Sequence, residues 1–102
     1  MSDHFLLTAL EILKARLNRP KTDTLLDDYF AARISAAAKE LLGKGITLDE
    51  TDTADLMLVV DYAAYLHSAR DKADGLPMWL TLRIRERWLQ DASRQHIGGD
   101  AL

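Results

Sequence analysis

The sequence predicts an all-α protein: a compact bundle of four main helices, with a short loop segment after the second helix and a loose C-terminal tail. Three observations carry that prediction. Apolar residues recur at spacings of three and four along four separate stretches. A serine, threonine or aspartate stands where each of the first three stretches begins, and a proline opens the fourth. The single segment that alternates apolar and polar residues has no second strand to pair with.

The first helix is expected over residues 2–17. Ser2 is a good N-cap, Asp3 suits the first turn, and Leu6, Leu10, Leu13 and Leu17 share one face. Pro20 ends it, because proline pushes the residue before it out of helical dihedrals. The second helix is expected over 23–42, capped by Thr22, Asp23 or Thr24 and stopped by Gly43 and Gly45. Its apolar face is Leu26, Phe30, Ile34, Ala37 and Leu41. Its many alanines make it thin enough for close packing. Gly45 to Thr51 forms the loop, with Ile46 and Leu48 folding back onto the core; a short β-ladder is the alternative.

The third helix is expected over 52–73, with Asp52 as cap and Asp55 three residues on. Leu56, Val59, Val60, Ala63 and Leu66 form one apolar face, and Leu58, Tyr62 and Tyr65 form a second, nearly opposite. A helix apolar on two sides is either central in its own domain or covered by another subunit. Asp74-Gly75-Leu76-Pro77 then makes a turn into a fourth helix over 77–95, and Gly98 and Gly99 end the periodicity, leaving residues 96–102 as tail.

At 102 residues the chain is expected to be one domain, since two cores would each be too small to stand alone. With no cysteine, a disulfide framework and a thiolate metal site are excluded. No basic leader opens the chain, and no apolar run is long enough to span a membrane. The net charge of −3 argues against a broadly basic nucleic-acid binder.

Catalytic and metal chemistry find little support. There is no Gly-x-Ser-x-Gly motif and no phosphate-cradling glycine loop. Asp27-Asp28 and Asp49-Glu50 sit where helix starts and loops favour acids in any case. His67 and Asp71 share a face at i, i+4, but no third ligand accompanies them, and His4 and His96 are remote in sequence. No enzyme activity, cofactor or metal is therefore expected.

The fourth helix says more. At about 100° per residue, Arg83, Arg87 and Arg94 form a narrow stripe beside Trp79 and Gln90, which is either a solvated face or a basic surface for phosphates or an acidic partner. Arg85 instead points into the apolar arc, and Arg33 falls among Leu26, Phe30 and Ala37 on the second helix. Each needs a carboxylate if buried, Asp61 being one candidate, or else lays its stem on the core with its head at the rim. An ion pair across a subunit boundary is the sharper reading of Arg85.

Three segments now matter together: L-L-D-D-Y-F-A-A-R-I-S-A-A-A-K-E-L-L closed by G-K-G-I, then D-Y-A-A-Y-L-H-S-A-R, then G-L-P-M-W-L-T-L-R-I-R-E-R-W-L. Over residues 22–89 the chain resembles the small head–tail connector, or head-completion adaptor, proteins of tailed bacteriophages and prophages. The shared features are length, helix order, an acidic start to the second helix, a Tyr- and Ala-rich third helix ending in Arg, and a proline-initiated, Arg-rich last helix. The first helix here is longer and more regular than in many relatives.

The resemblance implies a homo-oligomeric ring, typically dodecameric, at the virion head–tail junction. It would be made in the bacterial host cytoplasm and then sit between the portal protein and a tail or stopper protein. DNA would pass through the ring without sequence-specific binding. On that reading Leu58, Tyr62, Tyr65 and Arg85 are candidate interface residues, and Trp79, Arg83, Arg87 and Arg94 a candidate basic surface. The alternative is a small helical DNA-binding regulator using the last helix for recognition.

Overall fold

The computed structural model describes residues 1–70 and 75–100, with side chains of the last helix described through Ser93. Four helices follow in order: α1 (Asp3–Arg16), α2 (Asp27–Gly43), α3 (Thr53–Ser68) and α4 (Met78–Asp100). Among the described residues there is no strand, so the chain is an all-α four-helix bundle and the β-ladder alternative does not form.

Two helix starts follow local chemistry. The Ser2 hydroxyl accepts from the Phe5 amide at 3.2 Å, and the Asp52 carboxylate accepts from the Ala54 amide at 2.9 Å. Each bond satisfies one amide that the first turn leaves without a partner. Asp55 does not reach back to complete a capping box at Asp52. Its Oδ2 accepts from the Asp49 amide at 2.8 Å, tying the incoming loop to the first turn of α3.

α1 and α2 end alike. After α1 the Arg19 amide bonds to the Lys14 carbonyl and the Asn18 amide to that of Ala15, with Asn18 left-handed at φ 59°. After α2 the Ile46 amide bonds to the Leu41 carbonyl and the Gly45 amide to that of Leu42, with Gly45 at φ 88°. Both are Schellman closures, and the second packs Ile46 against Leu41 with both fully buried.

Three boundaries differ from expectation. α2 starts at Asp27, not near 23, because the Asp23 carboxylate accepts from the Leu25 amide and closes a turn instead of capping a helix. α3 closes at Ser68, and the expected final residues 71–73 lie outside the described residues. α4 continues to Asp100 through Gly98 and Gly99, so 96–100 is helix rather than tail; residues 101 and 102 lie outside the described residues. Glycine disfavours a helix by about 1 kcal/mol but, unlike proline, keeps its backbone donor.

α3 is the central element. α1 and α2 pack on it and on each other, while α4 packs chiefly on α3. α1 runs parallel to α3, its start near Glu50 and its end near Asp61. α2 and α4 run antiparallel to it, through Tyr29 to His67 and Arg87 to Asp55. The core joins Phe5, Ala9 and Leu13 of α1, Phe30, Ile34 and Leu41 of α2, and Val59, Val60 and Ala63 of α3. Ile46 and the half-buried Leu48 fold back onto it as expected, and α4 adds Leu80 and Ile84.

Lys14, almost fully buried, ties α1 to the start of α2. Its Nζ lies 2.8 Å from Asp27 Oδ1 as a charge pair and donates to the Lys21 carbonyl at 3.1 Å.

The Gly45 turn holds α4 as well. A Cβ added at Gly45 would lie 2.9 Å from Trp88 Nε1, so the indole rests directly on the glycine. Gly45→Ala combines left-handed strain with that clash and should cost about 1–2 kcal/mol. A lowered urea midpoint together with changed Trp fluorescence is the expected result; an unchanged midpoint would contradict it.

Candidate functional surface

α4 presents two faces of opposite character. Its inner face carries Leu80, fully buried, Ile84 and Arg87. Arg87 donates from Nε to Asp55 Oδ1 at 2.7 Å and from Nη2 to Asp55 Oδ2 at 3.0 Å. It also reaches Asp91 Oδ1 at 2.5 Å and the Thr47 carbonyl at 2.7 Å. Asp91 in turn accepts from the Thr47 amide at 3.0 Å. One guanidinium thus links α4, the α2–α3 loop and the first turn of α3. Asp55, then Asp91, hold Arg87 more firmly charged than a free arginine, against the opposing effect of burial. One turn earlier, Arg83 pairs with Asp61, which also receives Arg16 from α1.

This geometry corrects the arginine assignments. Arg87 is buried and paired, so it is no part of a basic surface. Arg83 is half-buried over the Trp79 ring and engaged by Asp61. Arg85, expected inside, is exposed. Asp61 serves Arg83 and Arg16, not Arg85. The side chain of Arg94 lies outside the described residues. A recognition helix that needs Arg83 and Arg87 for phosphates would have to break pairs within its own chain.

The second apolar face of α3 is also accounted for. Leu58 and Tyr62 are each 3% exposed, enclosed by their own chain, so neither is an interface residue of this monomer. Tyr65 is half-buried and edge-on to Tyr62, with ring centroids 6.2 Å apart. Burial, and Glu40 beside the hydroxyl, push the Tyr62 phenol well above its ordinary range. Of the two readings of a doubly apolar helix, the structure shows the one in which α3 is central in its own domain.

Single exposed apolar side chains stand at Met1, Leu7, Leu25 and Leu42, and a group of them lies on α4. Met78, Leu82 and Leu89 fall within about 40° of one another on its outer side, at 72%, 50% and 49% exposed. Trp79, 45% exposed, extends this ridge on one flank. Glu86 lies on the Trp79 flank and Arg85 on the other, both exposed. Sequence reasoning passed over this ridge, although the signal was present: Leu80 and Leu82 lie about 160° apart on the helix, so α4 too is apolar on two sides.

At the other end of α3 an aromatic and basic cluster forms. Arg33 Nε donates to the Tyr29 hydroxyl at 3.1 Å, and that hydroxyl sits 3.1 Å from His67 Nδ1. The Arg33 guanidinium lies over the Tyr29 ring at 5.1 Å, so Arg33 meets an aromatic face where a carboxylate was one expectation. Burial, then Arg70, Arg19 and Arg33, lower the His67 pKa below its ordinary 6.5.

The sign of the pH effect follows. Above 6.5 the ring is neutral folded and unfolded, and stability is complete. Below it the unfolded chain takes up a proton that the folded ring resists, so stability falls until the folded pKa is passed. The urea midpoint should therefore drop as pH falls through about 6.5, and His67→Gln should flatten that part of the profile. An unaltered profile in the variant would show that His67 is not the cause.

Among the described residues no group of three His, Cys, Asp or Glu is placed to hold a metal ion, and no helix is long and apolar enough to cross a membrane. Asp71, expected to share a face with His67, lies outside the described residues. No protein-family model, curated protein or solved structure matches this chain at a significant level.

Proposed function

We propose that this chain is a head–tail connector of a tailed phage or prophage, assembling as a ring on the portal protein and receiving a tail or stopper protein. The observation that carries the reading is the outward ridge of α4. Met78, Trp79, Leu82 and Leu89 stand exposed on a helix that internal ion pairs hold in a fixed orientation. A large exposed apolar patch on a small helical protein marks a protein partner. The resemblance over residues 22–89 supplies the kind of partner.

The test begins with the neighbouring genes, which should encode a portal and a capsid protein. Inactivating this gene should then leave heads and tails unjoined in electron micrographs of a lysate, and the wild-type gene supplied in trans should restore joined particles. Normal virions from the inactivated strain would overturn the proposal.

A further inference from the structure

A groove of about 590 Å³ opens between α1, α2 and the loop that follows α2. Phe5 and Leu6 of α1, Ala38 and Leu42 of α2, and Leu48 of the loop line it. Leu42 is 65% exposed. Lys39 stands on the α2 wall, and Glu50 stands on the α1 side, where its carboxylate accepts from the Ser2 amide at 2.7 Å.

We propose that the α4 ridge of one copy seats in the α1–α2 groove of a second copy. This deepens the connector reading, which needs copies to contact one another, but its argument uses only surfaces of this chain.

Charge complementarity identifies the occupant. The ridge has Arg85 on one flank and Glu86 on the other. The groove has an acid on one wall and a base on the opposite wall. Seated so that Glu86 meets Lys39, the ridge brings Arg85 to the Glu50 side. The reverse seating sets like charges together, so the pairs fix one direction of insertion.

The groove takes no residue from α3 or α4, and the ridge faces away from α3. The two surfaces share no residue, so the contact is heterologous. Each copy that uses its ridge still offers its groove, so the contact repeats until it closes as a ring or runs on as a filament.

Two exposed substitutions test this without touching the core: Leu82→Glu on the ridge and Leu42→Glu in the groove. Circular dichroism should show both folded. By sedimentation velocity, the wild-type mass should rise with concentration from micromolar toward millimolar, while each variant stays monomeric. An equimolar mixture of the two should recover association but stop at two copies, because one intact ridge meets one intact groove.

A mixture that stays monomeric, or variants that associate like wild type, would overturn the ridge–groove contact. So would a wild-type chain that is monomeric throughout. That last result would leave the connector reading standing, with the ridge then meeting the portal or another protein. As a second arm, Lys39→Glu and Glu86→Lys should each weaken association roughly fivefold, and both in one chain should restore it. Failure of the combined variant to recover would refute the proposed direction of insertion.

Discussion

Replacing Arg87 with alanine should lower the stability of this chain by about 3–5 kcal/mol, among the largest losses available to a single substitution here. Asp55 is 1% exposed, and Arg87 supplies it with two hydrogen bonds. Removing the guanidinium leaves Asp55 with the Asp49 amide as its one remaining donor among the described residues, and leaves the Thr47 carbonyl without its Arg87 bond. Water replaces a lost cation poorly at a site this enclosed, so the cost is that of a stranded charge rather than of one hydrogen bond. For a chain of this size, each kcal/mol lowers the melting temperature by about 4–8 °C, so the fall should exceed about 12 °C. Arg87→Lys should recover only part of it, since an ammonium cannot bond both carboxylate oxygens and the Thr47 carbonyl in the fork geometry. A loss below about 1 kcal/mol would place the pair among ordinary surface ion pairs.

Leu80→Ala should be nearly as costly, at about 2–5 kcal/mol, and its effect should be local first. Leu80 is fully buried, and among the described side chains of α4 Ile84 is its one companion in the apolar core. Among the described residues α4 is also held by the Arg83 and Arg87 pairs, by the Thr47 amide on Asp91 and by Trp88 against Gly45. Truncating Leu80 therefore weakens the docking of one helix and leaves the α1–α3 packing in place. Amide hydrogen exchange should show α4 losing protection while the centre of α3 keeps it. Because Arg87→Ala attacks the same docking, the double variant should cost less than the sum of the two singles. Uniform loss of protection along the chain, or strict additivity, would contradict this picture of α4.

The helix count and two helix starts were legible because their causes are local. Ser2 and Asp52 cap from within three residues, and the Gly45 stop needs no distant partner. The start of α2 was missed because Asp23 can cap a helix or close a turn, and a list of residues does not say which bond it makes. The arginines failed for a different reason. Periodicity fixes the angles between residues on a helix but not the direction of the bundle. Arg85 and Arg87 are about 200° apart, so a phase error exchanges inside for outside. Two carboxylates on the most apolar helix, Asp55 and Asp61, were the clue to that phase, since each needed a cation from a neighbouring helix. The doubly apolar character of α3 was read correctly as pattern, but three helices of its own chain surround it.

The helix endings at Asn18 and Gly45 bear on how quickly the chain finds its shape. Each is closed by bonds that span no more than five residues, so each corner can form before any distant segment arrives. Pre-formed corners narrow the search to bringing short rods together, and topologies built from such neighbours fold in microseconds to milliseconds. Stopped-flow refolding of α1 to α3 should therefore be largely complete within the dead time. The slowest step left to the molecule would be the arrival of its last helix.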